Sequence, residues 1–146
     1  MIDKWHIRFL SLAEHISTWS KDPSTQCGAV VVRPDKTIAS VGYNGFPKGY
    51  PDLTNWYLEK ETKHKNVIHA EMNAILFAKE LLVGYTLYTY PIPPCIRCMP
   101  HVIQSGISMV VSYDNSELEV WNRCKCDESL RQANYGKIHV CLIQKQ

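Results

Sequence analysis

The residues best suited to chemistry fall in two short stretches, VIHAEMNAI at 67–75 and PPCIRCMP at 93–100. Cys95 and Cys98 stand three apart at the start of a predicted helix, so both sulfurs share one face of a turn whose unpaired N–H groups favour thiolates. Such a pair serves either a metal or a redox exchange. His69 adds an imidazole, and two thiolates with one neutral imidazole make three ligands where a closed structural zinc site has four. The fourth place is then open to water, whose pKa zinc lowers toward neutrality. Cys27, Cys124, Cys126 and Cys141 are the other thiols. If Cys124 or Cys126 filled the fourth place, the site would be a closed, non-enzymatic zinc module.

Glu71 stands two residues after His69. On a helix, residues 71, 75, 78 and 82 form one stripe, and the other three are Ile75, Ala78 and Leu82, so Glu71 begins the inward face. A buried carboxylate needs a partner, and a water at the metal would be one. Two residues apart on a regular helix, His69 and Glu71 would point about 200° away from each other. They can serve one site only if the helix begins between about Val67 and Ala70, with His69 reaching out from its end.

The elements that must position these groups follow from periodicity. Trp5, Phe9, Leu12, Ile16 and Trp19 mark a helix within 2–20. CGAVVVR (27–33), PDKT and IASVGYN (38–44) read as a β-hairpin whose first strand is central, and residues 45–65 as a long excursion. A helix over 67–82 stops before Gly84, YTLYTY (85–90) is a strand, and a second helix runs from near Cys95 to before Gly106, with Pro94 near its start. ISMVVSY (107–113) is a strand, NSELEVWNR starts a helix capped by Asn115 or Ser116, DESLRQANYG is helical and KIHVCLIQK (137–145) is the last strand. This order predicts a single α/β domain over residues 1–146, a mixed five-stranded sheet with helices on both faces.

Bulk properties narrow the function. The chain has 146 residues, 45% of them hydrophobic, with no long uncharged apolar run and no leader-like N-terminus, which predicts a cytoplasmic protein with no membrane partner. Net charge is only +2 and the cations are scattered, which argues against nucleic acid as a partner.

H-A-E (69–71) followed by P-C-I-R-C (94–98) is the signature of the zinc-dependent nucleoside and nucleotide deaminases. SKDPSTQCGAVVV (20–32), GYNGFPKG (42–49), HAEMNAI (69–75) and IQSGI (103–107) further resemble blocks of the deoxycytidylate (dCMP) deaminases, a likeness covering about residues 1–114. Two departures are a segment one residue longer before Cys95 and Cys27 where valine is usual, which makes Cys27 a core residue beneath the site.

The resemblance implies the three-layer cytidine-deaminase fold, one catalytic Zn²⁺ held by His69, Cys95 and Cys98, and Glu71 as the proton shuttle. It implies a small nucleotide substrate, dCMP, giving dUMP for thymidylate synthesis and ammonia, a homo-oligomer, often a hexamer, and dCTP and dTTP as effectors in several members. Substrate contacts fall to Ser20 and Lys21 on the phosphate side, Asn44 at the sugar or base, and Ala70. Lys48 and Arg97 are alternative phosphate cations, and Tyr43, Phe46, Tyr88 and Tyr90 are candidates for the wall against the base. The same chemistry on dCTP or a modified cytidylate, a closed zinc module and a Cys95–Cys98 redox protein remain as rivals.

Overall fold

The computed structural model describes residues 3–51 and 53–145. Five strands, β1 (Gly28–Val32), β2 (Ile38–Tyr43), β3 (Thr86–Tyr90), β4 (Met109–Tyr113) and β5 (His139–Ile143), form one sheet in the order β2-β1-β3-β4-β5. The hairpin makes β1 antiparallel to both β2 and β3, whereas helical crossovers leave β3, β4 and β5 parallel. β1 is buried along its whole length, as a continuous run of Ala and Val at the centre of a sheet must be.

Alternation along the strands divides the core in two. Ala29, Val31, Leu87 and Val110 face the layer formed by α4 (Ala70–Phe77), α5 (Met99–Gln104) and α7 (Cys126–Tyr135). Val30, Val32, Tyr88 and Val111 face α1 (Lys4–Ser17), which is capped by Asp3 Oδ1 accepting from the Trp5 N–H at 2.8 Å. The helices therefore cover both faces, and the three-layer α/β architecture read from the sequence is the one present.

The element bounds differ in ways that matter for the site. The excursion at 45–65 folds into two short helices, α2 (Thr54–Leu58) and α3 (Lys60–Asn66). α4 ends at Phe77 rather than near residue 82, because Glu80 is drawn away to the Arg33 guanidinium and the Tyr85 hydroxyl. Leu82 still reaches the core, but from a turn. α5 starts at Met99, so Cys95 precedes it. The N–H groups of Cys98 and Met99 both donate to the Cys95 carbonyl, and Pro94 lies in the approach. α6 (Glu119–Arg123) is entered from Leu118 with no side-chain cap; Asn115 is buried instead, donating to the Pro91 carbonyl at 2.7 Å. Trp19 lies beyond α1 and is exposed, edge-on to Tyr43.

Gly42 decides how close α4 comes. A Cβ there would stand 2.5 Å from both the Ala70 carbonyl oxygen and the Ala74 nitrogen, which are backbone atoms that cannot swing aside. Replacing Gly42 by Ala should push the start of α4 off β2, costing about 1–3 kcal/mol and lowering zinc content. Thermal melts and metal analysis check this, and wild-type values in both would refute it.

Candidate active site

Strand register gathers the site at one edge of the sheet. Gly28 pairs with Tyr43 on one side and with Tyr90 on the other, so Cys27, Asn44 and Pro91 leave the sheet as neighbours. Gly45 then pairs with Ile68 through two backbone hydrogen bonds, of 3.1 and 2.8 Å. That bridge holds the chain extended up to His69, which is the N-cap of α4 at φ −71°, ψ 157°. Its carbonyl accepts the first helical bond, from the Asn73 N–H, while its ring is left outside the helical stripe. The angular conflict between His69 and Glu71 is resolved in this way: one residue is extended, the other is in the first turn.

His69 Nδ1 lies 3.4 Å from Cys95 Sγ and 3.3 Å from Cys98 Sγ. In tetrahedral zinc coordination the N-to-S edge is about 3.5 Å, given Zn–S of about 2.3 Å and Zn–N of about 2.0 Å. The three donors therefore already stand at ligand spacing. Their protonation is that of a set sharing protons around one point. The contact with Cys98 lowers Cys95 to about 4 and raises Cys98, while hydrogen bonding to Cys95 and then Glu71 lifts His69 to about 10. A divalent cation would take the place of those shared protons. The residues present fit zinc.

Among the described residues these three form the only group of three or more His, Cys, Asp or Glu whose donor atoms all lie within 4.8 Å of one another. Cys124 and Cys126 are outside it. Cys124 lines the adjoining cavity with its thiol raised to about 11 by burial, and Cys126 is fully buried with its sulfur toward the Pro93 carbonyl. Among the described residues no fourth thiol joins the set. Glu71 is outside the group too, although Oε1 is only 3.7 Å from His69 Nδ1. Burial raises the Glu71 carboxyl, but hydrogen bonds and charge from His69 outweigh it and hold the group below its ordinary range. Glu71 is therefore a buried carboxyl, 7% exposed, beside the donor set but not in it.

A cavity of about 760 Å³ opens over these groups, with Asn44, His69, Ala70, Glu71 and Cys95 on its floor and residues of α3 and α6 on its rim. Of the predicted substrate contacts, Asn44 and Ala70 line it. Asn44 is heavily committed: Oδ1 accepts from the Cys27 N–H at 2.8 Å, and Nδ2 donates to the Thr25 carbonyl at 2.9 Å and to Asp22 Oδ2 at 3.4 Å. One Oδ1 lone pair remains. The other two contacts do not reach the lining. Ser20 is a buried brace whose hydroxyl donates to the Asn44 carbonyl, and Lys21 is exposed outside it. Lys48 stands over the Phe77 ring, whereas Arg97 is on the rim. Of the four aromatics only Tyr90 lines the cavity. Tyr88 turns to the α1 face and meets His6 Nδ1 at 2.9 Å, Tyr43 is exposed, and Phe46 packs on Tyr50, Trp56 and Tyr57.

Sequence reasoning missed Tyr57 and Lys63 from the excursion and Glu119 and Arg123 from α6. Lys63 pairs with Asp22 at 2.9 Å in a mostly buried bridge that ties α3 across the cavity to the 20–27 segment. Their only signal was a long polar stretch and a polar helix, with no spacing that points to a ligand.

Two solved structures of the dCMP deaminase of cyanophage S-TIM5, one free and one in complex with dCMP and dUMP, superpose on this chain with TM-scores of 0.74 and 0.76. At 22% identity, with 98% of this chain and 99–100% of theirs covered, they establish that the fold is of the cytidine-deaminase type. The profile for the cytidine and deoxycytidylate deaminase zinc-binding region matches residues 3–114, and the chain belongs to that family. It is 45% identical over 117 residues to an uncharacterized deaminase of Aliivibrio fischeri, covering 80% of this chain and 78% of the relative. A probable deoxycytidylate deaminase of Caenorhabditis elegans is 43% identical (78% of this chain, 59% of the relative), and the deoxycytidylate deaminase of Mus musculus 37% (78% and 69%). No helix among the described residues is long and apolar enough to cross a membrane.

Proposed function

We propose that the protein deaminates dCMP by hydrolysis, giving dUMP and ammonia. The observation that carries this reading is the buried Glu71 standing beside, and not within, a three-donor His69, Cys95, Cys98 set that lines a nucleotide-sized cavity. Relatives named deoxycytidylate deaminase support the choice of substrate.

His69, Cys95 and Cys98 would hold the zinc ion. When bound, zinc supplies a Lewis acid that makes an incoming water acidic near neutral pH. The chain's own residues do the rest. Glu71 accepts the proton of the water that adds to C4 of the cytosine ring and delivers it to N3, then takes the proton of the new C4 hydroxyl and hands it to the amino group as the C4–N bond breaks, so that water and dCMP become dUMP and ammonia with no net change in the carboxylate. Ala70, first residue of α4, has a main-chain N–H without an intrahelical acceptor that can meet the polar edge of the ring. Asn44 holds the 22–27 segment and offers its last lone pair to a sugar hydroxyl. Tyr90 and Ile92 exclude water from the side of the ring.

Ammonia release by the zinc-loaded protein tests the reading, with dCMP compared against dCTP, deoxycytidine, CMP and 5-substituted dCMP. The expected result is the highest kcat/KM on dCMP. A preference for dCTP, or no turnover of any cytosine nucleotide, would refute it. Including dCTP and dTTP as additives in the same assay reads out the effector response expected from the family.

A further inference from the structure

The family profile ends at residue 114, yet Glu119, Arg123 and Lys125 line the cavity. Arg123 is already oriented. Nη1 donates to Glu119 Oε2, one turn earlier on α6, at 2.7 Å, and Nη2 donates across the cavity to Thr25 Oγ1 at 3.0 Å. A guanidinium carries five N–H donors, so three are left for a ligand. Thr25 is in turn tied by its carbonyl to Asn44, which links the guanidinium to the floor of the site.

Arg97 is brought beside it by the backbone. The Ile96 N–H donates to the Cys124 carbonyl at 3.4 Å, and Gln132 Nε2 donates to the Ile96 carbonyl at 3.1 Å. Ile96 immediately precedes Arg97 and Cys124 immediately follows Arg123, so the two arginines ride on segments bonded to each other, one of them the turn that carries both cysteine ligands. Among the described residues Arg97 has no ion-pair partner. Charge points the same way. With Lys63 matched to Asp22 and Arg123 to Glu119, the cations left around the cavity, Lys60, Arg97 and Lys125, exceed the one remaining carboxylate, Glu71, by two. Zinc with two thiolates would add no net charge, and a surplus of two suits a phosphate monoester dianion better than a triphosphate.

We propose that Arg123, with Arg97, binds the 5′-phosphate of the substrate, and that this pair makes the enzyme select a nucleoside monophosphate over the free nucleoside. The proposal rests on the cavity being a cytosine-nucleotide site. It gives α6, outside the family profile, a share in the choice of substrate, together with Arg97 on the cysteine turn inside it, and moves the phosphate contact away from Lys21.

The test compares wild type, Arg123→Ala and Arg123→Lys in ammonia release from dCMP and deoxycytidine. Loss of one charge-assisted hydrogen bond corresponds to a fall of about 10- to 100-fold in the ratio of kcat/KM for dCMP to that for deoxycytidine, and loss of two to a larger one. The loss should appear mainly in KM. The lysine variant should recover only part of it, because a point charge replaces a fork. An unchanged ratio in Arg123→Ala would overturn the proposal. Should the zinc-loaded protein deaminate no cytosine nucleotide, the functional reading fails by itself. Calorimetric titration with inorganic phosphate then decides the arginine site: weaker binding by Arg123→Ala supports it, and equal binding by both proteins overturns it.

Discussion

Glu71→Gln is expected to keep one zinc per chain and to lose about 10³- to 10⁴-fold in ammonia release from dCMP. Proton transfer by a positioned side chain accounts for about 10²- to 10⁴-fold in rate, and one carboxylate here serves the attacking water, N3 and the leaving amino group. Glutamine keeps the size and fits the same buried place, 7% exposed at the start of α4, but it cannot accept a proton. Because Glu71 lies outside the three-donor set, zinc content should not change, and this separates a shuttle from a ligand. Metal analysis and a steady-state assay on the same preparation are the check. Activity near wild type, or loss of zinc, would remove Glu71 from the role proposed.

Removing zinc, by chelation or by Cys98→Ser, is expected to abolish turnover and to lower the melting temperature by about 10 °C. The three donors come from two separated segments, the entry to α4 and the turn before α5, and a metal joins them. A ligand present at about 1,000 times its Kd stabilises the folded state by about 4 kcal/mol, and in a chain of this size each kcal/mol moves Tm by about 2–4 °C. Calorimetry of the metal-free and reloaded protein tests this. A melting temperature indifferent to zinc would mean that the His69, Cys95, Cys98 set is not where the ion binds. Cys124→Ser should leave zinc binding intact, since that thiol stands outside the donor group.

The candidate site was legible at the level of residue types and local spacing. His69, Glu71, Cys95 and Cys98 could be read together because each of the two motifs is local: a helix entrance two residues from a carboxylate, and a two-cysteine turn. The position of His69 at the helix end followed from helical geometry alone, and His69 is indeed the N-cap. The five strands, their mixed directions and helices on both faces also followed, since hydrophobic alternation and connection lengths restrict a hairpin plus βα units to few arrangements.

What failed to show was non-local. Lys21 and Lys48 belong to the blocks that resemble the family, but where a side chain points depends on partners distant in sequence: Ser20 turns in to Asn44, and Lys48 is taken up by Phe77. The end of α4 could not be read from its apolar period, because Arg33, 47 residues away, captures Glu80. Asn115 reads as a cap by type, yet it is called to the Pro91 carbonyl across the fold.

By itself, then, the sequence determined the layered α/β class and singled out His69, Cys95 and Cys98 as candidate metal donors and Glu71 as an inward carboxylate, because these rest on periodicity and short-range spacing. Tertiary structure alone decided which cations meet the cavity. Arg123 is 98 residues from Thr25, and Ile96 meets Cys124 through a backbone hydrogen bond between segments distant in sequence. Packing α6 and α7 against the cysteine turn brings those charges to a site that no local pattern encodes.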